Sequence, residues 1–455
     1  MKLFVKLFYG TCFLCVLVFV FVDCSDRKGE EAEGASGSAV AARVFVVGID
    51  GASWDILSPA MRAGYMPNLS RLVTNGMRGV LKSMEPTSSA IIWTTIATGK
   101  KPDKHGIKGF VVPGKDGNPV PVTSNLRKAK ALWKIVSEAG IKVGFLGWWV
   151  TWPAESVQGF MASDYTWPLK KSPEGFATGI DSSLDLPNRT YPPELIRELE
   201  PFIKIEADMD TAELRRLGIL AIPPIEGYAV RDMLLKDISL GDMISHLLER
   251  YDPALFAVYF DGFDAFCHIF WPVYKRYAAA RTAGEEALVS MPVHERVLAE
   301  ALELHLNRID TYLGSVMAHA GPEDVVLVIS DHGYGDNPDQ KPVLRGYGEL
   351  IHPPHWHTMD GIIAAAGGPV RSEQWIDGAT VLDIAPTILA LLGLPVAEDM
   401  DGEVLHNLMS DRFLSEHPIS SVPSYESEDP VDENPRESAY DDEVLERLRS
   451  LGYID

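Results

Sequence analysis

Five short runs of apolar residues constrain this chain more than any other feature: VFVVGID (Val44 to Asp50), KVGFLGW (Lys142 to Trp148), ALFAVYFD (Ala254 to Asp261), DVVLVISD (Asp324 to Asp331) and GIIAAAGG (Gly361 to Gly368). A strand with one wet face alternates apolar and polar residues. These runs do not alternate, so they predict strands buried on both faces. Between them, PNLSRLVTNG, KALWKIVSEAG and VLDIAPTILALLGL carry apolar residues at helical spacing and a glycine near the end, as amphipathic helices do. The alternation predicts an α/β fold with a mostly parallel central sheet covered by helices on both faces. Residues 158–242 break the rhythm with proline and charge and read as an inserted cap over the active face.

The rest of the chain sets boundaries around that domain. Lys2 and Lys6 precede a nearly unbroken apolar stretch from Leu7 to Val22, so residues 1–24 read as an export signal or membrane anchor. The basic end stays cytoplasmic, and the remainder is expected on the far side, periplasmic or extracellular and membrane-associated through the N-terminus. Asp23 before Cys24 fits neither an Ala-x-Ala cleavage site nor a standard lipoprotein box, which leaves Cys24 as a candidate lipid attachment point. Residues 25–42, small and rich in Gly, Ser and charge, are expected to be a flexible tether. The catalytic domain is expected over 43–412, followed by an acidic linker and C-terminal helix over 413–455. Beyond the leader only Cys267 remains, which excludes a disulfide within the body. A net charge of -23 with no compensating basic run excludes nucleic acid as a partner.

In open parallel sheets ligands gather beyond the carboxyl ends of the strands. Acidic and imidazole side chains stand at those ends here. Asp50 closes the first run, Asp331 and His332 close the fourth, and Asp264 with His268 follow the third at a spacing that turns both to one side of a helix. A further histidine lies in HPPHWHTMDG, with His352, His355 and His357 as the choices. Singly, an aspartate at a strand end is a turn or cap residue. Jointly, these carboxylates and imidazoles form a mixed oxygen and nitrogen set suited to a pair of divalent cations such as zinc. In MEPTSSAIIWTTIATG, the hydroxyls of Thr87, Ser88 and Ser89 precede a helix bounded by Gly99. A hydroxyl at that helix start has free N–H groups and the helix dipole beside it, which attract a phosphoryl oxygen.

From Arg43 to about Leu405 the chain resembles the alkaline phosphatase superfamily, in its type I phosphodiesterase/nucleotide pyrophosphatase branch. The resemblance rests on VVGIDG, on Ser89 nine positions before Thr98-Gly99 in SAIIWTTIATGKKPDKHGI, on DAFCHIFW, on SDHG and on His357 in HTMDG; the closing LERLRSLGYID is also similar to the end of many secreted members. It implies one metal held by Asp50, Asp331 and His332, a second held by Asp264, His268 and His357, and Ser89 as nucleophile. It further implies in-line displacement on phosphorus through a phosphoseryl intermediate, with a small phosphate ester as substrate. Diesters are expected over monoesters; the alternatives are a phosphomonoesterase, a phosphotransferase or a non-catalytic surface binding protein.

Ile92 stands where the nucleotide pyrophosphatases carry an asparagine three residues after the nucleophile. The residues after Ser89 lack the Pro and Arg of the sulfatase motif, which sets a sulfatase aside. His105 reads as structural, Cys267 as a small core residue, and Asp261 as a turn residue. Trp148, Trp149 and Trp152 divide evenly between core and a pocket for an aromatic leaving group.

Overall fold

A computed structural model describes residues 40–166, 169–171, 177–180, 186–223, 228–335, 343–345, 349–351, 357–372, 374–426 and 434–454. The expected leader, most of the tether, His352 and His355 lie outside the described residues. At the centre is a nine-stranded sheet. Its strands are β1 (Val44–Ile49), β2 (Met77–Lys82), β3 (Val143–Leu146), β4 (Gly159–Ala162), β5 (Thr190–Tyr191), β6 (Leu255–Phe260), β7 (Val325–Ile329), β8 (Asp360–Gly367) and β9 (Gln374–Ile376). They lie in the order β9-β2-β8-β7-β1-β6-β3-β4-β5. Strands β7, β1, β6, β3 and β4 are parallel, whereas β8 runs antiparallel to β7 and β2. All five apolar runs are therefore strands, and the last is reversed.

The unbroken apolar runs arise because consecutive side chains enter different cores. Phe45, Val47 and Ile49 of β1 join Phe256, Val258 and Phe260 of β6 in one cluster, while Val44 and Val46 join Leu255, Ala257 and Tyr259 in the other. The first cluster is closed by helices α3 (Tyr228–Tyr251), α4 (Gly262–Ala283) and α5 (Val293–His319). The second is closed by α1 (Ser89–Thr98), α2 (Leu132–Glu138) and α6 (Ile384–Leu392). Full burial of one such Val, Leu or Phe stabilises the fold by about 1.5–3 kcal/mol, so both layers of helices are needed to hold the sheet. At the amino ends of the strands, Arg43 bonds Asp252 at 2.7 Å and Asp324 at 2.6 Å, tying the starts of β1, β6 and β7 together.

Both ends of the segment read as a cap belong to this framework. Residues 159–162 form β4 within the sheet, and α3 buries Leu234, Leu240 and Leu247 in the first core. The four-residue strand is too short to stand out as an apolar run, and the charged face of α3 masks its buried face. Between them lie edge strand β5 and short helices such as Leu195–Leu199 and Thr211–Arg216. A third cluster joins Val444 and Leu448 of α7 (Asp441–Ser450) to Ala90, Phe110, Trp152 and Tyr165. The C-terminal helix thus shares a core with the residue that follows Ser89. Among the described residues no helix is long and apolar enough to cross a membrane.

Candidate active site

Adjacent parallel strands bring distant carboxylates to one edge of the sheet. Ile49 of β1 is in register with Phe260 of β6, and Gly48 with Ile329 of β7, so Asp50, Asp261 and the Asp331–His332 pair leave the same end. Helix α4 begins immediately after β6 and turns Asp264 and His268 toward that edge; both are buried. His357 comes from a two-residue strand, His357–Thr358, paired with Gly333–Tyr334. Its Nδ1 lies 2.8 Å from the Thr87 carbonyl oxygen, which leaves Nε2 facing the other imidazoles.

The structure brings the expected residues together. In one cluster, His332 Nε2 is 3.3 Å from Asp50 Oδ1 and 3.4 Å from Asp331 Oδ2. In the other, His268 Nε2 is 3.1 Å from Asp264 Oδ2 and 3.1 Å from His357 Nε2, while His357 Nε2 is 3.4 Å from Asp264 Oδ1. The clusters share a wall, because the His332 and His357 rings stack at 3.6 Å. His332 consequently also groups with Asp264 and His357, their ligand atoms falling within 4.8 Å of one another. Gly51 makes this closeness possible: at φ +70° it turns the chain after Asp50, and a Cβ there would meet Asp264 Oδ1 at 2.8 Å.

Several buried polar atoms point into this space without a hydrogen-bond partner, among them Asp264 Oδ1, Asp331 Oδ2 and His332 Nε2. Buried polar atoms are normally satisfied, so converging unpaired acceptors and imidazole nitrogens fit divalent cations. Electrostatics agree. Burial, then repulsion from Asp331 and Asp264, pushes the Asp50 carboxyl well above its ordinary range. Burial, then Asp264, pushes Asp331 up to about 7. Burial also opposes ionisation of Asp264, but His268 and His357 outweigh it and hold that carboxyl well below its usual range. Burial, then His357, keeps the His332 imidazole neutral, as a metal ligand must be.

Ser89 is the first residue of α1, and Gly99 ends the helix at φ 66°. Its Oγ lies 3.5 Å from Asp50 Oδ1, and the residue is fully buried. Ser88 occupies the capping position but makes no side-chain cap, and its Oγ has no hydrogen-bond partner. Thr94 and Thr95 bond the carbonyls one turn back and are structural. Ile92 faces the second core and brings no polar group to the site. Trp93 one place on does: its indole N–H donates to Asp50 Oδ2 at 3.2 Å.

Other contributors were not visible in sequence. The Tyr259 hydroxyl donates to Asp50 Oδ2 and accepts from the Trp149 indole at 2.6 Å. The Tyr453 hydroxyl, near the end of the chain, donates to Asp264 Oδ2. Tyr259 lies inside an apolar run, where an inward tyrosine reads as core, and Tyr453 lies far from any motif. Trp148 is a core residue, Trp149 lines a small cavity with Lys236, Asp261, Arg447 and Tyr453, and Trp152, itself buried, borders a separate, larger pocket with Arg127 and Glu155. Asp261 precedes α4 and pairs with Lys236 at 2.6 Å. His105, whose Nε2 is 3.1 Å from Thr95 Oγ1, has its pKa lowered to about 4 by burial and then Arg127, in keeping with a structural role. Cys267 is buried, and burial raises its thiol well above the ordinary value, so it stays protonated and inert.

Three comparisons with known proteins find similarity. Two 2,3-bisphosphoglycerate-independent phosphoglycerate mutases match locally. That of Salinibacter ruber (strain DSM 13855 / M31) is 45% identical over 83 residues, covering 18% of this chain and 14% of the mutase. That of Laribacter hongkongensis (strain HLHK9) is 30% identical over 110 residues, covering 24% of this chain and 19% of the mutase. The chain thus spans less than a fifth of the length of these relatives. A solved structure of a 2-O GAG sulfatase superposes with a TM-score of 0.49 at 12% identity, over 84% of this chain and 76% of that one. The family model "Type I phosphodiesterase / nucleotide pyrophosphatase" matches residues 44–376, from β1 through β9 and including every residue of both clusters. The chain belongs to the type I phosphodiesterase/nucleotide pyrophosphatase family, within the alkaline phosphatase superfamily.

Proposed function

We propose that this protein is an exported two-metal phosphodiesterase that cleaves small phosphate esters through a phosphoseryl intermediate. Membership of the family supports a phosphoric ester hydrolase of the superfamily. The observation that carries the finer reading is Ser89 at the first position of α1, 3.5 Å from Asp50 and beside unpaired carboxylate and imidazole atoms. Asp50, Asp331 and His332 would hold one cation and Asp264, His268 and His357 the other; zinc suits this donor set. Divalent cations, when bound, supply Lewis acidity that favours ionisation of a serine hydroxyl and of water.

The protein's own groups account for the remaining steps. The uncapped N-terminus of α1 offers backbone N–H groups to a phosphoryl oxygen. Ser89 Oγ attacks phosphorus, the ester oxygen leaves, and hydrolysis of the phosphoserine restores the hydroxyl. Trp93 and Tyr259 hold Asp50 Oδ2, which keeps Oδ1 turned to the serine. A complete ligand set argues against a purely binding role, because burying carboxylates together without counter-charge only destabilises a fold.

Charge favours a diester. Lys236 is engaged by Asp261, and Lys100 is engaged by Asp399 and Glu426, so neither is poised for the second charge of a monoester. Arg189, in the inserted segment, reaches the Thr166 carbonyl at 3.4 Å. With metal loading held constant, bis(4-nitrophenyl) phosphate should show a higher kcat/KM than 4-nitrophenyl phosphate. A clear preference for the monoester would make the enzyme a phosphatase. The local likeness to two mutases favours a second reading, transfer of the phosphoserine group to an alcohol. In that case added glycerol would divert product from phosphate to a glycerol ester.

Export follows from the basic and apolar leader. Fractionation should recover the body on the far side of the membrane. Full-length protein with its leader in the soluble cytosol would contradict this.

A further inference from the structure

The chain's last described residues lead into the second cluster. Helix α7 docks through Val444 and Leu448 beside Ala90, Leu451 enters the first core, and Gly452 turns the chain at φ +80°. Tyr453 then lies with its ring edge-on to His268 at 4.5 Å and against Phe110 at 4.9 Å. Its hydroxyl donates to Asp264 Oδ2, which also lies 3.1 Å from His268 Nε2, while Asp264 Oδ1 has no hydrogen-bond partner and faces His357 Nε2 at 3.4 Å. The first cluster has the same arrangement: Tyr259 and Trp93 hold the outer oxygen of Asp50, and Oδ1 faces Ser89 and His332.

A carboxylate that rotates freely presents either oxygen, or both, to a cation. A hydrogen bond to one oxygen fixes the plane and leaves the other as the ligand, and losing such a partner typically costs about 10–100-fold in metal affinity. We propose that Tyr453, delivered by the C-terminal segment, is a positioning residue of the second metal site that orients Asp264 so that Oδ1 meets the cation. The inference rests on the reading of Asp264, His268 and His357 as a cation site. The family match ends at residue 376, and the orienting hydroxyl arrives from beyond it, in the closing LERLRSLGYID.

The test is competitive zinc titration of the purified, metal-stripped full chain, which resolves two binding constants. Tyr453→Phe keeps the ring and removes only the hydroxyl; it should weaken one constant by about tenfold or more and leave the other unchanged. Phe110→Leu loosens the packing around Tyr453 without removing its hydroxyl and should leave both constants near wild type. Asp264→Asn should lose one ion. If Tyr453→Phe binds both ions as wild type does while Asp264→Asn loses one, the tail merely packs and the proposal falls. If Phe110→Leu weakens zinc as much as Tyr453→Phe, packing is responsible, and the proposal falls as well. If Asp264→Asn keeps both ions, the assignment of the site itself fails, and the proposal with it.

Discussion

Ser89→Ala is expected to lose about a thousandfold or more in kcat while retaining both bound metals. The hydroxyl is the only group of Ser89 that touches the clusters, at 3.5 Å from Asp50 Oδ1, and its removal takes away no ligand. Stability should change little, since a serine to alanine exchange at the first position of a helix leaves the backbone and the core of α1 intact. Ser88 provides the comparison. Its Oγ has no partner, so Ser88→Ala should keep turnover within a few-fold of wild type. Phosphate release and metal content measured on the two variants decide between the neighbouring serines. An active Ser89→Ala beside an inactive Ser88→Ala would move the nucleophile by one residue.

Asp331→Asn should have the largest effect on metal binding. Groups that only hydrogen-bond to ligands already account for about 10–100-fold in affinity, so loss of a ligand charge should exceed about a hundredfold and remove one ion in elemental analysis. The stripped protein should respond in the opposite sense. Asp331 is held up to about 7 when folded, by burial and then Asp264, whereas an unfolded aspartate titrates near about 4. Between those values the folded state binds the extra proton, so this group's contribution to stability is present at low pH and lost as pH rises through 7. Asparagine removes that ionisation. Stripped Asp331→Asn should therefore melt above stripped wild type at pH 8, and the difference should shrink as pH falls toward the unfolded value of about 4. Zinc binding by wild type should weaken as pH falls below 7, because the cation must displace the proton. A stripped variant that melts below wild type at pH 8 would mean that Asp331 is not an uncompensated charge.

The sheet was legible because burial on both faces leaves a plain trace. Val44–Ile49 and Val325–Ile329 carry no polar side chain, and Leu255–Phe260 carries only the Tyr259 hydroxyl. β2 left no such trace, since its burial alternates and MRGVLK carries charge at the exposed positions. The reversal of β8 was not legible either, because an apolar run has no direction. Metal-ligand candidates stood out since carboxylates at apolar strand ends are costly unless compensated. The phenols and the indole that hold them did not, because a tyrosine or tryptophan serves equally as core filler, and only coordinates reveal where Tyr259, Tyr453 and Trp93 direct their polar atoms.

The register between β1, β6 and β7 also bears on how the molecule is made. Asp50 and Asp331 meet only after β1 has paired with a strand nearly three hundred residues later, and the entropy of closing so long a loop is met before any donor finds its neighbour. No short stretch of the nascent chain holds enough ligands to trap an ion. A cation held by these donors would therefore not nucleate the fold. It would enter a sheet already assembled and stabilise it by mass action, to a degree set by the free metal concentration of the compartment where folding ends.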